Sequence, residues 1–317
     1  MFTKKFRDMP LKSKIELIIL GCVFFTSVIA FFSIHYISKA YDHALYNSVS
    51  TNLSYSASEI YASLQEAEEL ANMILANNTV QTQLPAIADE NSIRKKQNIE
   101  SSVYNTLTNY LFNTANRSIS YISILQENST ISTHSIRFQK VPMDVRNDLI
   151  KHGRLAQGAT IWVTDYSQEY GFFLVKELRE TNPFSLQPIG TLIINLNLNT
   201  LIEQTTVFHS SYEAPSFLMF DKGTDIYSSN PLREEDIEKL ISDTKEGYSV
   251  TNLNHESFFA VKGQIPFYGW HYIAMISYDS IARTFTLTSA TCILVMILSL
   301  CTCLLYTSPS PRDRSLS

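Results

Sequence analysis

No cysteine lies between Cys22 and Cys292 of this 317-residue chain. The four present, Cys22, Cys292, Cys301 and Cys303, all fall in or beside two apolar stretches near the chain ends. That excludes a disulfide framework or a cysteine metal site in the region between, and the four read as small apolar packing residues. Charge is scarce as well. Asp, Glu, Lys and Arg make up 17% of the chain, against roughly 25% in an average soluble protein. Asn, Ser and Thr fill the difference. A basic face is missing: residues 39–283 carry 18 basic and 27 acidic side chains, which excludes a nucleic-acid partner. There is no glycine-rich nucleotide loop. No Ser/His/Asp arrangement can be placed, and the paired acids Glu68-Glu69 and Glu234-Glu235-Asp236 read as solvated helix surfaces. A hydrolase is therefore rejected. The mean hydropathy of -0.03 excludes a polytopic transporter, and the 12% aromatic content excludes a disordered chain.

What is present is two uncharged apolar runs. Leu17 to Ile34 has no charged residue, and the apolar character continues through Ile37. About 18–21 helical residues span roughly 30 Å of hydrocarbon. The core is longer than that of a signal peptide and no small-x-small cleavage pattern follows, so an uncleaved anchor over 15–37 is expected. Residues 1–14 carry Lys4, Lys5, Arg7, Lys12 and Lys14 against Asp8, and the region beyond the anchor is acidic. This places the N-terminus in the cytoplasm. The second run, 284–305, begins after Arg283. One crossing out and one back leave residues 38–283 outside the cell, tethered at both ends to the plasma membrane.

The last residues are of another kind. Cys303-Leu304-Leu305-Tyr306-Thr307-Ser308-Pro309-Ser310-Pro311-Arg312-Asp313 resembles the conceptual translation of a transposase-based sequencing adapter. Residues 303–317 are therefore expected to be adapter-derived, with the natural sequence continuing past about residue 302 into a cytoplasmic region.

Between the runs, Leu45, Val49, Leu53, Ala57, Ile60, Leu64, Ala67, Leu70 and Ile74 recur at steps of three and four. They predict one amphipathic helix over Tyr41–Ala76, continuous with the membrane helix and ended by Asn77-Asn78. A second helix is predicted over Ser92–Asn113, with Arg94-Lys95-Lys96 as a solvated face. Then the period changes. Strands are predicted at Ser118–Leu125, Ala159–Thr164, Phe172–Arg179 and Ile189–Asn195, with helices at Met143–Lys151 and Leu198–Thr206. The order repeats in shorter form. Strands Ser216–Phe220 and Ile226–Ser228 flank a turn at Asp221–Asp225, and a helix opens at Asn230-Pro231. Strands Gly247–Thr251, Ser257–Gly263 and Trp270–Ser277 follow. The fold class is α+β: a long N-terminal helix plus two modules with antiparallel sheets, about 77–205 and 206–282.

This order of elements resembles the double-Cache (tandem PAS-like) sensor architecture. Gly158-Ala159-Thr160-Ile161-Trp162 and Ile189-Gly190-Thr191-Leu192-Ile193-Ile194-Asn195-Leu196-Asn197 resemble the first module of the YesM-like sensor histidine kinases of Gram-positive bacteria. Phe258-Phe259-Ala260-Val261 and Gly269-Trp270-His271-Tyr272-Ile273-Ala274-Met275-Ile276 resemble their second. The resemblance implies a homodimeric receptor in a two-component system, with a small extracellular ligand and a response regulator as partners besides the lipid bilayer. It also implies a HAMP linker and a kinase domain using ATP and Mg beyond this chain. The chain itself has no catalytic domain and is expected to need no cofactor and no metal. None of its seven histidines lies where a cytoplasmic phosphoacceptor would. The same sensor could feed a chemoreceptor or a cyclic-dinucleotide enzyme, or the chain could be an anchored binding protein with no output.

A Cache pocket is a half-open sheet face with aromatic walls and polar anchors. Tyr121, Trp162, Asp165, Tyr166, Phe173, Lys176 and Arg179, on or beside strands of the first module, are the candidate ligand-binding residues. Trp162 also reads as a core aromatic and Arg179 as a surface charge. Trp270 and Tyr272 read as core or interface packing. Amino-acid-binding relatives carry an Arg-x-Trp-Tyr pattern, which is absent around Trp162. A saccharide, which stacks on aromatics, is the ligand the family suggests.

Overall fold

A 66-residue helix, α1 (Leu11–Ala76), runs from the apolar segment into the sheet-bearing part of the molecule. The computed structural model describes residues 11–298 apart from Asn91, Asn128, 182–184, 206–215, Gly223, 230–232, 244–247, 254–255, Phe267, 279–286, Ser289, Cys292 and Met296. The expected cytoplasmic segment 1–10, the segment 299–302 and the adapter-like tail 303–317 lie outside these residues. Within α1 a stretch long and apolar enough to cross a membrane is found. It is apolar on every side: Phe24, Phe25, Ile29, Phe31 and Phe32 are each 64–70% exposed. Such a band has no water-compatible face. Among the described residues this is the one helix of that kind. Most of the expected second crossing falls outside them, although the described residues within 287–298 are helical.

The chain divides into two units. One consists of residues 1–48, 252–258 and 277–317. Within it the Tyr278 hydroxyl donates to Asp42 Oδ1 at 2.7 Å, and the Tyr278 amide donates to the Ser257 carbonyl. The other consists of residues 49–251 and 259–276 and holds nearly all of both sheets. There α1 buries Val49, Leu53, Ala57, Ile60, Leu64, Ala67, Leu70, Ala71 and Ile74. These are the predicted apolar steps from Val49 onward with Ala71 added, the Leu45 side chain lying outside those described, and they share one side because 3.6 residues make a turn.

Asn77 does end α1, and its side chain caps the next helix by accepting from the amides of Thr79 and Val80. That helix, α2 (Asn78–Asp89), is left unassigned by the sequence reading and contains Pro85. It is held by Gln81, whose Nε2 reaches the carbonyls of Leu75 and Arg179, and whose Oε1 accepts from the Thr181 amide. Helix α3 (Ile93–Asn113) follows. The first sheet comprises β1 (Ile119–Leu125), β2 (Thr130–Ser132), β3 (Thr160–Val163), β4 (Phe172–Arg179) and β5 (Pro188–Leu196). Helices α4 (Ser135–Gln139) and α5 (Met143–Leu155) lie between β2 and β3, and the short α6 (Ser167–Tyr170) lies between β3 and β4. After α7 (Leu198–Thr205) the second sheet comprises β6 (Ser216–Asp221), β7 (Thr224–Ser228), β8 (Tyr248–Leu253), β9 (Glu256–Gln264) and β10 (His271–Ser277). Helix α8 (Glu234–Asp243) lies between β7 and β8.

Both sheets have the same threading. The first is ordered β2-β1-β5-β4-β3 and the second β7-β6-β10-β9-β8. Numbered within its own sheet, each runs 2-1-5-4-3, with antiparallel registers. The architecture is thus a long N-terminal helix plus two antiparallel sheets. The sequence reading misses β2, α4 and α6, all short. It also makes the turn after β6 too long: Asp221 pairs with Thr224 and Phe220 with Asp225. The predicted start of α8 at Asn230-Pro231 lies outside the described residues.

Candidate ligand-binding site

Strand β4 sends alternate side chains to opposite faces of the first sheet, as a period of two requires. Phe173 and Val175 point into a cluster with Tyr121, Val163 and Ile193, covered by Phe138 of α4 and Val145 and Leu149 of α5. Register places Tyr121 beside Asn195 and Asn195 beside Phe173 on that face. The opposite face carries Lys176 beside Thr160 and Leu174 beside Trp162, and it meets α1 through the indole of Trp162. The seven expected residues are therefore divided rather than gathered.

A cavity of about 340 Å³ opens on the α4–α5 face, at the end of the sheet where α6 meets β7. Of the seven, Tyr121 alone lines it. Tyr121 is 3% exposed, and its hydroxyl is buried with no hydrogen-bond partner among the described residues. Burial pushes this phenol well above its ordinary range, and the nearby positive charge of Arg137 opposes the shift. Its ring packs edge-on against Phe138 at 5.9 Å. Arg137 and Lys140 contribute cationic side chains to the lining. Arg137 comes from α4, which His134 caps by accepting from the Arg137 amide.

The floor of the cavity is built by α6. Asn195 Nδ2 donates to the Tyr170 carbonyl at 2.8 Å and the Phe172 carbonyl at 3.3 Å. Gly171 turns the chain at φ +83°, where a Cβ would sit 2.3 Å from the Leu196 carbonyl oxygen. From α6, Ser167 Oγ donates to the Ile226 carbonyl, and Gln168 Nε2 donates to Asp225 Oδ2 at 3.0 Å. The Tyr227 hydroxyl donates to Asn199 Oδ1 at 2.7 Å. A strand of the second sheet thus closes a cavity formed mainly by the first.

The other expected residues have separate roles. Phe173 is fully buried core. Tyr166 packs against the same cluster and donates to Asp148 Oδ2 at 3.1 Å. Asp165 is exposed just past the end of β3. Arg179 binds the buried Glu177 through Nε at 2.7 Å. Lys176 donates to Thr160 Oγ1 at 3.0 Å. Burial lowers its pKa, with the Glu68 charge opposing. Trp162 Nε1 donates to Glu68 Oε1 at 2.8 Å.

Glu68 corrects the sequence reading, which places it on a solvated surface. The same Oε1 also accepts from the Tyr268 hydroxyl at 2.9 Å, so one carboxylate on α1 holds a residue leading into each sheet. Burial and the Glu68 hydrogen bond raise the Tyr268 pKa. Tyr268 stacks on Trp270 at 5.1 Å, which meets Phe172 at 5.2 Å. Trp270 and Tyr272 are core, as expected. The Tyr272 hydroxyl donates to the Leu53 carbonyl at 3.1 Å, and burial pushes its pKa up to about 12. A sequence signal for Glu68 existed: it lies four residues after Leu64 and three before Ala71, on the apolar stripe itself. Arg137 and Lys140 gave no such signal. Among the described residues no group of three His, Cys, Asp or Glu could hold a metal ion.

No family model matches the chain. It is similar to the sensor histidine kinase YesM of Bacillus subtilis (strain 168), 17% identical over 303 residues, covering 95% of this chain and 52% of that protein. The chain therefore spans about half the length of the curated relative it matches. Among solved structures, the ligand-binding domain of the Pseudomonas aeruginosa PAO1 amino acid chemoreceptor PctB, in complex with L-Arg, aligns with a TM-score of 0.46 and 12% identity. That alignment covers 75% of this chain and 97% of the other. The sensor domain of the V. cholerae histidine kinase DctB aligns with a TM-score of 0.47 and 12% identity, covering 74% and 97%. The sensory domain of the Campylobacter jejuni chemoreceptor Tlp3, with isoleucine bound, aligns with a TM-score of 0.40 and 12% identity, covering 75% and 96%.

Proposed function

We propose that this chain is the extracytoplasmic sensing part of a two-component histidine kinase of the YesM-like type, and that a small ligand is read in the cavity closed by Tyr227. The observation that carries the reading is α1 itself. One continuous helix has an apolar band at one end and, at the other, a buried stripe that holds a sheet on either side of Glu68. In this reading a ligand alters the packing of α6 on β7, and the change passes through the two sheets to α1. It shifts the receptor only by its differential affinity for the two arrangements.

In this reading residues 38–283 are extracellular and the N-terminus is cytoplasmic. A second helix over 284–305 returns to the inside, the receptor is a homodimer, and the output is a kinase domain that uses ATP and Mg and phosphorylates a response regulator. The lysines provide the test. Lys95 has a side chain 73% exposed on α3, and Lys4 stands before α1. A membrane-impermeant amine reagent applied to intact cells is expected to label Lys95 and to reach Lys4 only after lysis. Labelling of Lys4 with protection of Lys95 would invert the topology and remove the proposal.

A further inference from the structure

Three features of the cavity are not used by the fold. Tyr121 lines it, and its hydroxyl is buried without a partner among the described residues. Arg137 and Lys140 line it too, and neither forms an ion pair among the described residues. Glu169 is the lining carboxylate, and it is engaged by the Tyr170 hydroxyl. Arg137 and Lys140 bring two positive charges to one cavity in a region where acids outnumber bases 27 to 18. A buried hydroxyl left without a partner costs free energy of folding, which persists where a bound molecule supplies the partner.

The rest of the lining is amide. Asn195 spends its Nδ2 on two carbonyls, leaving Oδ1 to accept. Asn197 spends Oδ1 on the Thr200 amide and Asn199 spends Oδ1 on Tyr227, leaving two NH₂ groups to donate. Acceptors and donors of this kind match hydroxyl groups. The volume of about 340 Å³ lies at the small end of ligand pockets.

We propose that the cavity takes a compact hydroxylated organic acid, its carboxylate held by Arg137, Lys140 and the Tyr121 hydroxyl, and its hydroxyls by Asn195, Asn197 and Asn199. The assignment rests on the sensor reading and names the ligand class for that site. An α-amino acid is the competing ligand, since Glu169 keeps acceptor positions for an ammonium group, and the titration decides between the two.

The test is calorimetric titration of the full chain in lipid nanodiscs with D-galacturonate, D-gluconate and L-malate, against neutral D-galactose and zwitterionic L-alanine. At least one acid is expected to bind at least about tenfold more tightly than galactose and alanine, as a charge-assisted contact implies. The Arg137→Gln/Lys140→Gln variant is expected to erase that preference. Tyr121→Phe should weaken the acid about tenfold without lowering the melting temperature. Arg137 and Lys140 are exposed, so their replacement leaves the core intact, and a melting curve confirms it. Equal binding of galactose or alanine, unaffected by the double variant, would overturn the acid assignment while leaving a sensor. Binding by none of the acids also overturns it, and the lysine labelling decides separately whether the sensor reading stands.

Discussion

Glu68 carries two hydrogen bonds on one oxygen, from an indole and a phenol that are themselves half-buried. Glu68→Ala removes the shared acceptor and leaves two donors unpaired, at a cost of about 1–3 kcal/mol. Glu68→Gln keeps an oxygen in place and should cost less than half as much. Urea unfolding of the three proteins measures the difference, and equal midpoints would show that water replaces the carboxylate freely. Asp225 offers a pH-dependent case. Burial raises its pKa, while hydrogen bonds from the Tyr227 amide and the Gln168 side chain pull the other way. Its Oδ1 is buried without a partner among the described residues. A carboxyl whose folded pKa lies above its unfolded value favours folding below the ordinary aspartate value of 3.8 and opposes it once pH has risen through the folded value. Asp225→Asn should therefore melt higher than the parent near neutral pH. The gap should close as pH falls below about 4, which melting curves across that range will show.

At the scale of elements, α1 is the piece whose loss spreads furthest. Leu64 is fully buried on its stripe, and Leu64→Ala should cost about 2–5 kcal/mol. The neighbouring exposed Gln65 should tolerate alanine within about 0.5 kcal/mol. Denaturant midpoints for the pair test whether the stripe or the helix as such supplies the stability. The stripe was legible in the sequence because its steps of three and four run uninterrupted from Val49 to Ile74. Strand β4 was legible for a similar reason, its apolar residues filling both faces, and its predicted and observed bounds coincide at Phe172–Arg179. Helix α2 was not legible. Pro85 argues locally against a helix, and what fixes it is Gln81 reaching carbonyls on α1 and β4, contacts that no local pattern encodes. The site was half legible. An aromatic on β1 could be named from the alternation, whereas Arg137 and Lys140 depend on a five-residue helix and the turn that ends it.

For the molecule as a whole, the apolar band of α1 sets where the chain can reside. A helix with Phe24, Phe25, Ile29, Phe31 and Phe32 all facing outward would expose apolar surface on every side in water, which folded soluble chains avoid. The full chain should stay with the membrane pellet through alkaline carbonate extraction. A chain lacking residues 1–37 and ending before 284 should appear in the supernatant. Release of the full chain by carbonate would mean that the band is covered by protein, not lipid.

The shared 2-1-5-4-3 threading of the two sheets bears on ancestry. A repeat of this kind is what tandem copying of one gene segment would leave. Between its second and third strands the first sheet holds a pair of helices where, among the described residues, the second holds one. Arg137 belongs to that interval and Lys140 stands just past its first helix, so both cations of the proposed site lie where the two sheets differ. Redirecting the proposed site to another ligand would then call for changes in that interval, with the strands of both sheets left as they are.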